Sequence, residues 1–355
     1  MSQKDFTMPD SPGGLFGFAE EPNPEQPPQR RKRRALPAIL TAVAGALVLA
    51  LVAGFLYASS VNQTVSDNLE RREDTLPGDT ETDRPQRQPS QEKGAVNFVL
   101  LGSDSRDPDN ASGTGRSDVL IVAHLNAERN KAYLISFTRD LWVKIPGKRK
   151  AKINAAYAWG GPKLTVKTVE SITGARIDHV ALIDFEGFIQ LTSELGGVTI
   201  YNDQAFETHG YSYPEGQITI SGEEALWFVR ERKKLRNGDL DRARNHRKVI
   251  QAILEKGLSP ETIANPQKFT SFIGGVASHL TVDSALTDDK IRSLAFSLRL
   301  PPTQIHSLQA PIAGFGTSAD GQAIDIVDEK RMAELAEALR EDELDRYIEK
   351  YPPTE

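Results

Sequence analysis

The sequence predicts an α/β fold, a sheet covered by helices on both faces, standing behind a single N-terminal transmembrane helix. Three observations predict it. An uncharged apolar run from Ala35 to Ala58 follows directly on Arg30-Arg31-Lys32-Arg33-Arg34. Apolar stretches at Val96–Leu101, Val119–Leu125 and Ala132–Thr138 read as strands buried on both faces, which calls for helices above and below the sheet. Beyond them, helical and strand patterns alternate along the chain.

In chain order, residues 1–34 are rich in Pro, Gly, Gln, Asp and Glu and are expected to be a disordered cytoplasmic tail that ends in the basic anchor. At about 1.5 Å per residue, residues 35–58 span a hydrocarbon core of about 30 Å. Tyr57 sits where an interfacial aromatic belongs, and the positive-inside rule places everything after residue 58 outside the cell membrane. Residues 59–93, with Pro77, Pro85 and Pro89 among many charges, read as a flexible extracytoplasmic linker. One folded domain is expected over 94–345 and a tail over 346–355. The hydrophobic share of 39% suffices for a real core and leaves room for disordered ends. The chain has no cysteine, which excludes disulfides, thiolate metal sites and a cysteine nucleophile, and its six histidines contain no H-x-x-x-H pair.

Each buried strand stops at a polar loop. The first ends at Gly102 before Ser103-Asp104-Ser105-Arg106, the second follows Gly115-Arg116-Ser117-Asp118, and the third ends on Arg139-Asp140. A helix is expected over 162–173, with proline in its first turn and Gly174 after its end. Val180–Ile183 reads as a strand, Asp184 as the cap of a helix over 185–195, and Val198–Ile200 as the next strand. Ser221-Gly222-Glu223-Glu224 has the form of a capping box, opening a helix that delivers Arg230 and Arg232 at its end. After the Asn237-Gly238 turn, Asp239 or Asp241 is expected to cap a helix running to about Lys256. A terminal sheet segment is expected to join Gln304–Ala310 with Gln322–Val327.

The chemistry is concentrated in two places. Phe228–Arg247 crowds Arg230, Arg232, Lys233, Lys234, Arg236, Arg242, Arg244 and Arg247 around one turn, in a chain of formal net charge −6. Arginine suits phosphate because its planar fork donates paired hydrogen bonds and keeps its charge. A solvated basic helix surface is the competing reading of the same density. The second place is the strand ends. Asp104 and Asp118, beside Arg106 and Arg116, can hold Mg2+ between hard carboxylate oxygens, although either Asp alone can equally be a turn or cap residue. Arg139 ends a strand so apolar that its charge needs a partner.

Together these residues resemble the LytR-CpsA-Psr family of envelope phosphotransferases. The resemblance is carried by NFVLLGSDSR at 97–106, GRSDVLIVAHLN at 115–126, ISFTRDLWVKIPG at 135–147 and KINAAYAWGGP at 152–162. HVALIDFEGFIQL with LGGV within 179–198, SGEEALWFVRERK at 221–233 and GDLDRARNHRKVIQAI at 238–253 complete it. It implies a central mixed β-sheet flanked by helices in an α-β-α sandwich, with an apolar tunnel for a polyprenyl lipid. It implies a transferase that moves a glycopolymer from a polyprenyl-pyrophosphate carrier onto a peptidoglycan acceptor through a phosphodiester, with pyrophosphatase activity as a side reaction. By motif position Asp104 and Asp118 would be the Mg2+ (or Mn2+) and catalytic carboxylates, with Arg139 as a further catalytic residue. Arg116, Arg139, Arg230, Arg232 and Arg242 would grip the pyrophosphate, with Asp239 a weaker candidate. Where the family carries R-Q-Q, this chain has Asn245-His246-Arg247. His246 can still donate to phosphate, more strongly when protonated, or be an exposed helix histidine.

Two other functions fit parts of the sequence. A non-catalytic envelope protein would use the same cage to hold a polyprenyl phosphate or glycopolymer without cleaving it. The basic cluster at 30–34 could touch DNA, but the expected topology puts the folded domain across the cytoplasmic membrane from nucleic acid. The polymer stays open between wall teichoic acid, capsule, arabinogalactan and a protein-linked glycan, with the Ala/Arg/Glu-rich composition leaning towards arabinogalactan.

Overall fold

The computed structural model describes residues 67–78, 81, 84–103 and 117–353, with the side chains of 118, 263, 295 and 296 excepted. The tail and membrane span expected over 1–58, together with Asp104, Arg106 and Arg116, lie outside the described residues. Among the described residues no helix is long and apolar enough to cross a membrane.

The strands are β1 (Glu70–Arg72), β2 (Val96–Ser103), β3 (Ser117–Leu125), β4 (Ala132–Ser136), β5 (Trp142–Lys144), β6 (Lys150–Lys152), β7 (His179–Asp184) and β8 (Val198–Asn202). They continue with β9 (Phe206–Thr208), β10 (Tyr211–Tyr213), β11 (Gly216–Ile220), β12 (Thr281–Asp283), β13 (Ile305–Gln309), β14 (Ile312–Thr317) and β15 (Ala323–Val327). The helices are α1 (Pro89–Glu92), α2 (Asn154–Thr173), α3 (Phe185–Glu194), α4 (Gly222–Arg230) and α5 (Asp239–Gly257). After them come α6 (Pro260–Ile263), α7 (Pro266–Ser278), α8 (Asp288–Ser297), α9 (Glu329–Glu341) and α10 (Leu344–Lys350).

Among the described residues seven strands form one sheet in the order β1-β12-β7-β2-β3-β4-β13. It is mixed: β7 lies parallel to β2 and β13 parallel to β4, while β3 runs antiparallel to both β2 and β4. Alternation along the strands separates its faces. Val99 and Leu101, Leu120 and Val122, and Tyr133 and Ile135 pack with Val166 and Val169 of α2 and Leu335 and Leu339 of α9. Leu100, Ile121 and Leu134 face the other way, towards Ile250 and Leu254 of α5. The expected sandwich, sheet between helical layers, is therefore the observed one.

Three expectations need correction, and a fourth gains an unexpected segment. Part of the stretch expected as a flexible linker is folded onto the domain. β1 pairs with β12, and Arg84 is buried against Glu170 at 3.1 Å while donating to the carbonyls of Pro77 and Ile177. Arg87 meets Asp178 at 2.9 Å. The charges that gave 70–93 the composition of a linker are the groups that fasten it. At the other end, α10 runs through the expected boundary at 345 and buries Tyr347. The helix expected from Pro162 to Thr173 is the part of α2 beyond a break at Gly160 and Gly161, where Gly161 takes φ 62° and ψ −158°, a backbone setting that only glycine takes readily; a short helical segment from Asn154 precedes the break. Finally, β13 joins the main sheet beside β4, and β15 pairs with β14 in a separate hairpin. Gly314 and Gly316 hide β14 in the sequence. A Cβ at Gly316 would come within 3.0 Å of Ile326 Cδ1, so a larger residue there would push that side chain aside.

Candidate active site

The sheet's register gathers the polar strand ends at one edge. Ser103, the last residue of β2, lies opposite Ser117 at the start of β3 and beside Asp184 at the end of β7. The β2–β3 register slips by one between Gly102, opposite Val119, and Ser103, opposite Ser117. Asp118 is thus the extra residue of a β-bulge, the device by which strands re-aim a side chain next to functional sites. A Cβ on Gly102 would come within 2.8 Å of Val119, so the bulge demands glycine across from it. β4 leaves the sheet at the same edge and leads to Arg139.

On the sheet face opposite α2 and α9 lies a channel of about 250 Å³, enclosed by side chains such as Leu100, Val119, Phe188, Leu226, Val249 and Ile253. Asp184, Arg230, Arg242 and His246 supply its polar side chains. Arg242 and His246 also line a narrow cleft with Ser136, Thr138, Arg139 and Asp239, so channel and cleft meet at these two residues. Arg139, Arg242, His246 and Asp239, all named by sequence, come together here. Arg242 is 4% exposed and ion-paired with Asp239. Burial pushes the Asp239 carboxyl above its usual range, against the pull of Arg242. His246 is buried, which removes the exposed-helix reading. The helix carrying these groups starts at Gly238, with no side-chain cap; Asp241 instead accepts from the backbone and side chain of Asn237, closing the turn before it.

Arg230 is the last residue of α4, whose expected capping box does not form. Ser221 makes no side-chain cap, and the Gly222 N–H is met by the Thr192 hydroxyl at 2.9 Å. The Arg230 guanidinium lies over the rings of Phe185 (4.4 Å) and Trp227 (5.1 Å), and His209 stacks on Trp227 at 3.5 Å. This aromatic support holds a cation at the channel wall without neutralising it. Trp227→Ala is expected to weaken binding of inorganic pyrophosphate by about fivefold, roughly 1 kcal/mol, and Trp227→Phe to restore most of it. Titration calorimetry of the three proteins decides it; equal affinities would remove Trp227 from the site.

Arg232 lines neither the channel nor the cleft; it lies half-exposed in the loop after α4. Lys233, Lys234 and Arg236 are exposed. Three groups were missed. Lys152 reaches Asp140 at 2.9 Å, next to Arg139. Asp325, from β15, adds a carboxyl raised by burial, with Asp140 and Asp239 pushing it further. Arg247 is buried beneath Ser136. Lys152 stood within a quoted motif, KINAAY, whereas nothing local marks Asp325. Among the described residues no group of three or more His, Asp or Glu could hold a metal ion.

Residues 56–341 match the model of the LytR_cpsA_psr family. A polyisoprenyl-teichoic acid--peptidoglycan teichoic acid transferase, TagU of Oceanobacillus iheyensis, is 35% identical over 302 residues, covering 82% of this chain and 90% of the relative. TagU of Bacillus subtilis strain 168 is 30% identical over 319 residues, covering 88% and 97%. Among solved structures, B. subtilis TagV matches with a TM-score of 0.61 at 24% identity, over 74% of this chain and 99% of that one, a likeness of fold. A structure of TagT bound to LI-WTA matches with a TM-score of 0.57 at 25% identity, over 76% and 98%. With its mixed sheet, its channel and a match spanning most of its length, the chain belongs to the LytR-CpsA-Psr family.

Proposed function

We propose that this protein is a membrane-anchored phosphotransferase that moves a glycopolymer from a polyprenyl-pyrophosphate carrier to peptidoglycan on the outer side of the cytoplasmic membrane. One observation carries the reading: an apolar channel that ends on arginines, the buried Arg242 and the partly buried Arg230, with Arg139 in the adjoining cleft. A long hydrocarbon chain fits the first and a pyrophosphate the second. The relatives named as teichoic acid transferases support the same class of reaction. The extracytoplasmic placement rests on the basic cluster at 30–34 preceding the apolar run.

In this reading Arg242 and Arg139, with Arg230 held flat on its aromatic rings, neutralise the pyrophosphate, and His246 donates a further hydrogen bond. Their charge is preorganised in a buried cleft, where it is worth more than in water. An acceptor hydroxyl attacks the sugar-linked phosphorus. A new O–P bond forms, the bridging P–O bond breaks, and polyprenyl phosphate leaves along the channel. A carboxylate at the sheet edge takes the hydroxyl proton. Asp239 is the described carboxylate lining the cleft, and its raised pKa makes it the better proton acceptor. Asp104 and Asp118, hard oxygen donors in a chain without thiolates, fit Mg2+ (or Mn2+), and Asp118 stands in a bulge at the strand end that leads to Asp104. The ion, when bound, supplies further neutralisation of phosphate charge.

The test uses the full chain in detergent with a polyprenyl-pyrophosphate disaccharide and a peptidoglycan glycan oligomer. The expected result is divalent-ion-dependent release of polyprenyl phosphate together with a phosphodiester-linked product by mass spectrometry. Donor bound intact, with no bond broken under any ion, would replace the enzyme with a lipid-carrier-binding protein.

A further inference from the structure

A second cavity, of about 290 Å³, lies across a wall formed by Ile183, Asp184 and Leu280, which line it on one side and the apolar channel on the other. Its lining is far more polar than the channel's. Glu70 and Arg72 of β1, Ser103 at the end of β2, Tyr157 of α2, and Glu186 and Gln190 of α3 face it. Tyr157 also lines a small cleft with Ser117 and Arg139, so this one ring borders both the groove and a cleft that contains Arg139. We propose that this groove is the subsite for the acceptor saccharide, a proposal that rests on the transferase reading above.

Charge selects the ligand first. Glu70, Asp184 and Glu186 outnumber Arg72, which lies 3.4 Å from Asp74, and His279, which lies 3.3 Å from Glu194, so the groove disfavours a phosphate-rich polymer relative to a hydroxyl-rich one of low charge density. Hydrogen-bonding capacity selects next. Glu186 and Gln190 are exposed, one turn apart on α3, and joined by a 2.8 Å hydrogen bond that orients both. The second carboxylate oxygen of Glu186 and the amide oxygen of Gln190 remain to accept from sugar hydroxyl and acetamido groups. Tyr157, half-buried, offers an aromatic surface to a sugar face. Reaction geometry selects last. In-line displacement at phosphorus puts nucleophile and leaving group on opposite sides. With polyprenyl phosphate leaving into the channel, the hydroxyl must come from across the strand ends, where this groove is.

The double variant Glu186→Ala/Gln190→Ala tests it in the full chain, with a polyprenyl-pyrophosphate disaccharide as donor and a GlcNAc–MurNAc oligomer as acceptor. Loss of two modest hydrogen bonds is expected to raise the acceptor KM about tenfold, with donor KM and donor cleavage by water unchanged. Acceptor binding without donor, followed by NMR titration, is expected to weaken by the same factor. An unchanged acceptor KM would overturn the proposal. So would a raised donor KM, which would assign the groove to the donor glycan. If the wild-type chain binds the oligomer, and the double variant does not, while no donor is cleaved, the groove stands and the transferase reading falls.

Discussion

Arg242→Ala is expected to lower transfer by about 10²- to 10³-fold, the usual consequence of removing one preorganised donor from a developing oxyanion. The residue earns this weight by position: it is buried, paired to Asp239, and lines both the channel and the cleft. The same change strips the buried Asp239 of its counter-ion, which costs about 3–5 kcal/mol of stability. Asp239→Asn in the Arg242→Ala background separates the two effects. It is expected to restore most of the stability in urea unfolding, because a neutral amide no longer needs the cation, and none of the turnover. Near-normal turnover in Arg242→Ala would dismiss the arginine cleft as the reacting site. The pH dependence has a definite sign. The Asp239 carboxyl has a raised pKa in the folded chain, so the folded state holds its proton more tightly than the unfolded one. Stability from this group therefore falls as pH rises from 3.8 through the raised value. Arg242→Ala removes the main opposing influence and extends that decline to higher pH.

Much of this site can be read along the sequence, for reasons visible in the residues. Val96–Leu101 and its two successors are too apolar to be half-exposed, and each terminates in charge, so the sheet edge and Asp118, Arg139 and Asp184 are local inferences. Asp184 does cap α3, accepting from the Gly187 N–H at 2.7 Å. Where signal is non-local it is lost. β1 and β12 have three residues each and no periodicity, and they are strands only because they pair with each other and with β7. Asp325 comes beside Thr138, which lines the cleft, because a glycine-containing hairpin folds back so that its N–H donates to the Asp140 carbonyl at 2.9 Å. The first two turns of α5, DLDRARNHR, have the composition of a solvated helix. Yet Asp241, Arg242, Asn245, His246 and Arg247 are all buried, since the helix lies across the polar end of the sheet. Composition cannot distinguish charges facing water from charges facing the interior.

Arg247 is where that distinction has its largest energetic consequence. Its guanidinium is 7% exposed and donates to the Ser136 hydroxyl and, at 3.0 Å, to Gln309 Oε1, both neutral. Its Nε has no partner, and among the described residues no carboxylate pairs with it. Burial, with a smaller push from Arg244, lowers its pKa to about 10. Measured against the ordinary 12.5, that displacement corresponds to roughly 3 kcal/mol of destabilisation at neutral pH. Arg247→Met is therefore expected to raise the unfolding free energy by about 1–4 kcal/mol, as apolar replacements of buried charges do. The unfolded chain keeps this proton up to higher pH than the folded one, so wild-type stability gains as pH rises from about 10 towards 12.5. The gap between variant and wild type should then be flat below about pH 10 and narrow above it. A less stable variant would show that the bonds to Ser136 and Gln309 outweigh desolvation. Ser136 also lines the cleft that holds Arg139 and Arg242, so Arg247 adds positive potential behind it, which the pyrophosphate of the proposed reaction would offset. Inorganic pyrophosphate should accordingly raise the thermal midpoint of the wild-type chain more than that of Arg247→Met. Equal shifts would leave Arg247 a cost of the fold with no return at the site.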